Sequence, residues 1–172
     1  MSRFFAGVML AALALPGLSG CATVGANAAH PEARAYDPSS APSADIDAAL
    51  VRTKLSGKNL LVVMGGNWCH DSRSFAGWME TPRFAAMLAE RYELIYVNVG
   101  MPQTGDGHNF DIARRFGLDE VVGTPTVLII APDGTLLNAD TAGSWRNAAT
   151  RSEDAIFDEL AGFAEPKTYS PS

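Results

Sequence analysis

Three short apolar runs limit what this chain can fold into: Asn59–Met64 (Asn-Leu-Leu-Val-Val-Met), Glu93–Val99 (Glu-Leu-Ile-Tyr-Val-Asn-Val) and Thr126–Ala131 (Thr-Val-Leu-Ile-Ile-Ala). Each is strand-length and lacks the strict alternation of a half-exposed strand, so each fits a strand covered on both faces. Between the first two, Thr81-Pro82 opens a helix with Phe84, Met87 and Leu88 on one face, because proline suits a first turn. A strand–helix–strand order implies a parallel pair with a right-handed crossover. Pro132-Asp133-Gly134 is a turn signal, so Thr135–Asn138 is expected to return antiparallel as a hairpin. Further helices are expected from a Ser43 cap to about Leu55, where Gly57 ends it, around Asp111 to Phe116, and after a Ser152 cap, with Ile156, Leu160 and Phe163 inward. Gly100 to His108 is a polar loop. The expectation is an α/β domain spanning residues 44–165, with a mixed sheet of about four strands and helices on both faces.

The two ends differ in composition. Arg3 precedes an apolar run from Phe4 to Leu18, broken by Pro16 and Gly17, that meets Leu18-Ser19-Gly20-Cys21. A run this short, ending in small residues, fits a secretion signal over residues 1–20 rather than a spanning helix. Leu-Ser-Gly-Cys resembles the bacterial lipobox, which implies a lipidated Cys21 as first mature residue. By the same resemblance Ala22 favours the outer membrane. Residues 21–43 are rich in Ala, Pro, Ser and Asn and are expected to form a flexible tether, with a span of about 25 Å for roughly twenty residues. Residues 166–172 are expected to form a tail. The formal net charge is −6, and losing Arg3 with the leader makes the mature chain more acidic. Without basic clusters, nucleic acid is a poor partner; membrane attachment would rest on the acyl chains of Cys21.

With Cys21 lipidated, Cys69 is the one thiol left, in Trp68-Cys69-His70-Asp71-Ser72, where the first strand gives way to a helix. Gly123-Thr124-Pro125 opens the third strand. This order resembles the thioredoxin-like superfamily over roughly residues 44 to 165. By that resemblance Cys69 is the attacking cysteine, Ser72 stands where a resolving cysteine would be, Pro125 is the cis-proline, and Thr124 offers its backbone to an extended substrate. Trp68 would flank the cysteine as an apolar surface. The acid that many thioredoxins bury six residues before the first cysteine is here Val63.

A helix N-terminus stabilises a thiolate through its unpaired amides and dipole, whereas Asp71 opposes a second negative charge nearby. His70 can supply a proton, and the Ser72 hydroxyl can donate a hydrogen bond to the thiolate or cap the helix. One thiol cannot resolve its own mixed disulfide. The expected function is thiol–disulfide exchange through Cys69 with protein or small-molecule thiols and disulfides of the bacterial envelope, released by an external thiol, as in isomerase-like shuffling or removal of small-thiol adducts. No cofactor is expected, and the protein is expected to act as a monomer. A non-catalytic peptide-binding module around Trp68, Thr124 and Pro125 is the rival. A metal site from Cys69, His70 and His108 is a weaker alternative. Trp78 and Trp145 are expected to be packing residues, and Arg114 and Arg115 solvated charges.

Overall fold

The computed structural model describes residues 30–164; the expected leader, the expected lipidation site Cys21 and the expected tail lie outside the described residues. The elements are α1 (Pro42–Ser56), β1 (Asn59–Gly65), α2 (His70–Met79), α3 (Pro82–Arg91), β2 (Tyr92–Asn98), β3 (Gly100–Met101), β4 (Asp106–Gly107), α4 (Phe110–Arg115), β5 (Thr126–Ile130) and α5 (Glu153–Ala164), with 3-10 turns at Pro102–Thr104 and Ser144–Thr150.

The main sheet has the order β2-β1-β5. β1 runs parallel to β2, from Asn59 opposite Tyr92 to Gly65 opposite Asn98. It runs antiparallel to β5, from Leu60 opposite Ile130 to Met64 opposite Thr126. As the central strand β1 is covered on both sides, which explains its unbroken apolar run. Leu61 and Val63 face one way, with Val127, Ile129, Phe75, Phe84, Trp145, Ile156 and Leu160. Leu60, Val62 and Met64 face the other, with Ile46, Ala49, Val97, Ile112, Leu128 and Ile130. Helices α2, α3 and α5 therefore cover one face, and α1 and α4 the other. Leu60 to Met64 are all fully buried, each contributing about 1.5–3 kcal/mol of transfer free energy. The fold is mixed α/β, with helices on both faces.

Several local expectations change. Helix α1 begins at Pro42, after an Ala41 cap position without a side-chain bond, so Ser43 lies inside the first turn and is not the cap. Gly57 ends that helix in the left-handed region, φ 77°, and the Ser152 hydroxyl accepts from Ala155 N at 3.2 Å. The 100–108 loop contains a small antiparallel pair, β3 with β4. The fourth strand of the main sheet does not form. Only an isolated bridge joins Ile130 and Leu136, and the side chain of buried Asn138 takes over, accepting from Ile129 N at 2.8 Å and donating to Val127 O at 2.9 Å.

The tether also ends earlier than composition implied. From residue 30 the chain lies on the domain as a strap. Ala33 N donates to Arg73 O at 3.0 Å, and Tyr36 is fully buried, donating its hydroxyl to Ser72 O at 3.1 Å. The Tyr36 ring supplies a large apolar area to a segment otherwise poor in it, helped by Ala33 and Ala35 on the same cluster and by His30 edge-on to Trp78 at 5.6 Å.

Burial pushes the phenols of Tyr36, Tyr92 and Tyr96 above their ordinary range; Tyr96 and Cys69 add to the effect at Tyr36, and Glu80 at Tyr96. An unfolded chain loses phenolic protons near pH 10. The stabilisation is therefore complete below about pH 10 and is lost as pH rises above it. In an alkaline titration, phenolate absorbance and far-UV circular dichroism should change together, with at most one of the four tyrosines ionising beforehand. Early ionisation of several phenols with intact dichroism would contradict the burial of these side chains.

Candidate functional site

The site lies where β1 ends. Gly65 closes the strand, Cys69 N donates to Gly66 O at 3.0 Å in a tight turn, and Cys69 itself occupies the N-cap position of α2. Its thiol is partly exposed and is the free cysteine among the described residues. Across the site the Thr124–Pro125 peptide is cis, and Cys69 Sγ donates to Thr124 O at 3.4 Å. Residues 55 positions apart in sequence thus meet at one sulfur.

The neighbours of Cys69 are arranged differently from the simplest expectation. The Ser72 hydroxyl is fully buried without a hydrogen-bond partner, so the expected bond from Ser72 to the sulfur is not formed, nor does it cap the helix. It lies against Gly65 and Tyr36: a Cβ built on Gly65 would stand 2.5 Å from Ser72 Oγ and 2.8 Å from the Tyr36 ring. His70 turns outward, its Nε2 at 3.0 Å from Glu32 Oε1. Asp71 turns toward the 144–150 segment, its Oδ1 accepting from Ala149 N at 2.9 Å. Trp68 is 37% exposed, folds back over Gly66, and donates through Nε1 to Gly100 O at 2.6 Å. The indole therefore ties the cysteine loop to the β3–β4 hairpin. Exposed Met101 and Val122 lie on the two segments that border the site, next to Gly100 and Gly123.

Val63, at the position where many thioredoxins bury an acid, is fully buried within the apolar cluster. Cys69, His70 and His108 do not converge, and among the described residues no group of three or more His, Cys, Asp or Glu is placed to hold a metal ion. His108 instead sits over Gly100, where a Cβ would come 2.6 Å from its Nδ1. Trp145 is fully buried, in edge-to-face contact with Phe75 at 5.3 Å, and Trp78 packs beside Phe84. Arg115 is not simply solvated, since it pairs with Asp47 at 2.6 Å.

Four residues of this region went unseen in the sequence. Asn67 and Tyr36 exchange bonds, with Tyr36 N donating to Asn67 Oδ1 at 3.2 Å and Asn67 Nδ2 to Tyr36 O at 2.9 Å. Glu32 pairs with Arg73 Nε at 2.7 Å, and Arg73 Nη1 donates to Asn67 O at 3.1 Å. The one available signal was Tyr36, the sole aromatic between residues 22 and 67. Nothing in the spacing marked Glu32, Asn67 or Arg73.

Comparison with known proteins agrees with this fold. The solved structure of a disulphide isomerase from Xylella fastidiosa Temecula1 is similar, with a TM-score of 0.69 and 26% identity over 77% of this chain and 98% of that one. Among curated proteins, none matches significantly. A family model described as thioredoxin-like matches residues 41–132, which is more than half of the chain and includes β1, the cysteine loop and β5. The chain belongs to the thioredoxin-like family.

Proposed function

We propose that this protein carries out thiol–disulfide exchange through Cys69 alone, at the bacterial cell envelope, held there by lipid on Cys21. The observation that carries the reading is a partly exposed thiol at the start of α2 and beside Thr124 O, with a buried hydroxyl at position 72. A thiolate there attacks one sulfur of a partner disulfide. The Cys69–partner S–S bond forms, the partner's own S–S bond breaks, and its second sulfur leaves as a thiolate. The electron count of the pair is unchanged. Ser72 has no sulfur with which to repeat the step, so an outside thiol releases the partner and regenerates Cys69. Shuffling of a substrate's disulfides, or removal of a small-thiol adduct from a protein, fits a site that neither gains nor loses electrons over the cycle. The similarity to a disulphide isomerase supports the same direction.

Glutathione disulfide serves as the test. Incubated with the purified full chain, it should leave one glutathione on Cys69, read by peptide mass spectrometry, and reduced glutathione should remove it. Cys69→Ser should abolish that adduct. Failure of Cys69 to form it, under conditions where a free cysteine peptide does, would overturn the exchange reading and leave the groove at Trp68 and Thr124 as a peptide-binding surface.

A further inference from the structure

The strap brings one carboxylate to the cysteine loop. Glu32 accepts from Arg73 Nε at 2.7 Å and lies 3.0 Å from His70 Nε2. The two side chains it engages sit one and four residues after Cys69, at the start of the same helix. Its hydrogen bond from Arg73, then the charges of Arg73 and His70, hold the Glu32 carboxyl below its ordinary range against the opposing effect of desolvation. Behind it the strap is seated by the Tyr36–Asn67 pair, by Asn98 Nδ2 donating to Tyr36 O at 3.2 Å, and by the Tyr36 hydroxyl on Ser72 O. Gly77 makes the close approach possible, because a Cβ there would collide with the carbonyl group of Pro31.

We infer that Glu32 is a positioning residue of the one-thiol site: it holds the side chains of His70 and Arg73, which follow Cys69 in the first turns of α2, and so restrains the thiol while the strap is seated. This rests on the exchange reading of Cys69. A cation near a sulfur favours the thiolate, and a carboxylate bound to that cation cancels much of the effect. The other charged or titratable groups around the loop do not substitute for Glu32. Arg34, exposed on the strap beside the same hollow as Glu32 and Arg73, carries the opposite charge. Tyr36, beneath the loop, is kept protonated by burial. Asp71 is bonded to Ala149 N. Arg146 lies over Gly123 and donates to Val122 O at 3.4 Å, while Val121 to Thr124 bring no charge of their own. The His108 ring and the backbone carbonyl of Asp106 lie against Gly100, whose own carbonyl accepts from the Trp68 indole. Displacing the strap frees His70 to turn toward the sulfur next to it.

The experiment follows alkylation of Cys69 by iodoacetamide against pH in the full chain, read on the Cys69 peptide so that no other thiol contributes. Glu32→Gln should shift the profile toward acid by about half to one pH unit, a gain of about three- to tenfold in rate on the rising limb. Gly77→Ala should shift it the same way without altering any charge, since it displaces Pro31 at a helical position where alanine is favoured over glycine by about 1 kcal/mol. Adding His70→Asn to Glu32→Gln should return most of the shift. A purely structural Glu32 would leave the profile in place and change only the melting temperature. A Glu32→Gln profile that coincides with wild type, or moves toward alkali, overturns the inference while leaving Cys69 a working thiol. A wild-type Cys69 that neither alkylates nor takes glutathione overturns the exchange reading itself.

Discussion

Ser72→Cys should lower the steady-state level of mixed disulfide on Cys69 at least tenfold when the protein is exposed to glutathione disulfide or a peptide disulfide. Position 72 lies three residues into the helix that Cys69 caps, a spacing that brings side chains to one face. The introduced thiol would attack Sγ of Cys69, form an internal disulfide with it and expel the partner as a thiol, leaving the site oxidised by two electrons. The exchange protein would become one that needs an external reductant. The substitution should fold, because the wild-type hydroxyl is buried without a partner at a cost of about 1–3 kcal/mol. A thiol tolerates such surroundings better. The bare Cα of Gly65 leaves the sulfur room, whereas Gly65→Ala would press on both Ser72 and Tyr36. Persistence of the adduct at the wild-type level, with the new thiol still free on counting, would show that residue 72 does not face Cys69.

What was legible in the sequence follows from how local each cause is. β1, β2 and β5 fall within one residue of the apolar runs that announced them, since burial on both faces leaves its mark in every residue of a short strand. The Cys69 turn and the Thr124–Pro125 step were legible because each occupies adjacent residues at the end of such a strand. The strap was not. It holds through Tyr36, Glu32 and backbone groups, bonded to residues 31 to 62 positions away, and no periodicity links such partners. The directions taken by His70 and Asp71 were hidden for the same reason: Glu32 and Ala149 N, which draw them aside, come from distant parts of the chain.

Asn138→Ala should cost about 3–5 kcal/mol in urea unfolding, a large share of the roughly 5–15 kcal/mol that holds a domain of this kind. Turn chemistry at Pro132-Asp133-Gly134 does bring the chain back: Ala131 N donates to Thr135 O at 2.8 Å, and Leu137 N to Ile129 O at 2.8 Å. The strand expected next stops there, because the Asn138 amide satisfies Ile129 N and Val127 O in place of a neighbouring backbone. One side chain thus stands in for a rung of sheet, which a hydrophobicity pattern cannot distinguish from a strand residue. Truncation leaves two buried backbone groups unpaired, each costing about 1–3 kcal/mol. Exposed Thr135→Ala, on the same turn, should change stability by less than about 0.5 kcal/mol. β5 begins at Thr126 and carries Pro125 and Thr124 ahead of it, so the rung at Asn138 also steadies the strand that sets Thr124 O against Cys69. Equal costs for the two alanine variants would mean that the Asn138 amide carries no part of the sheet.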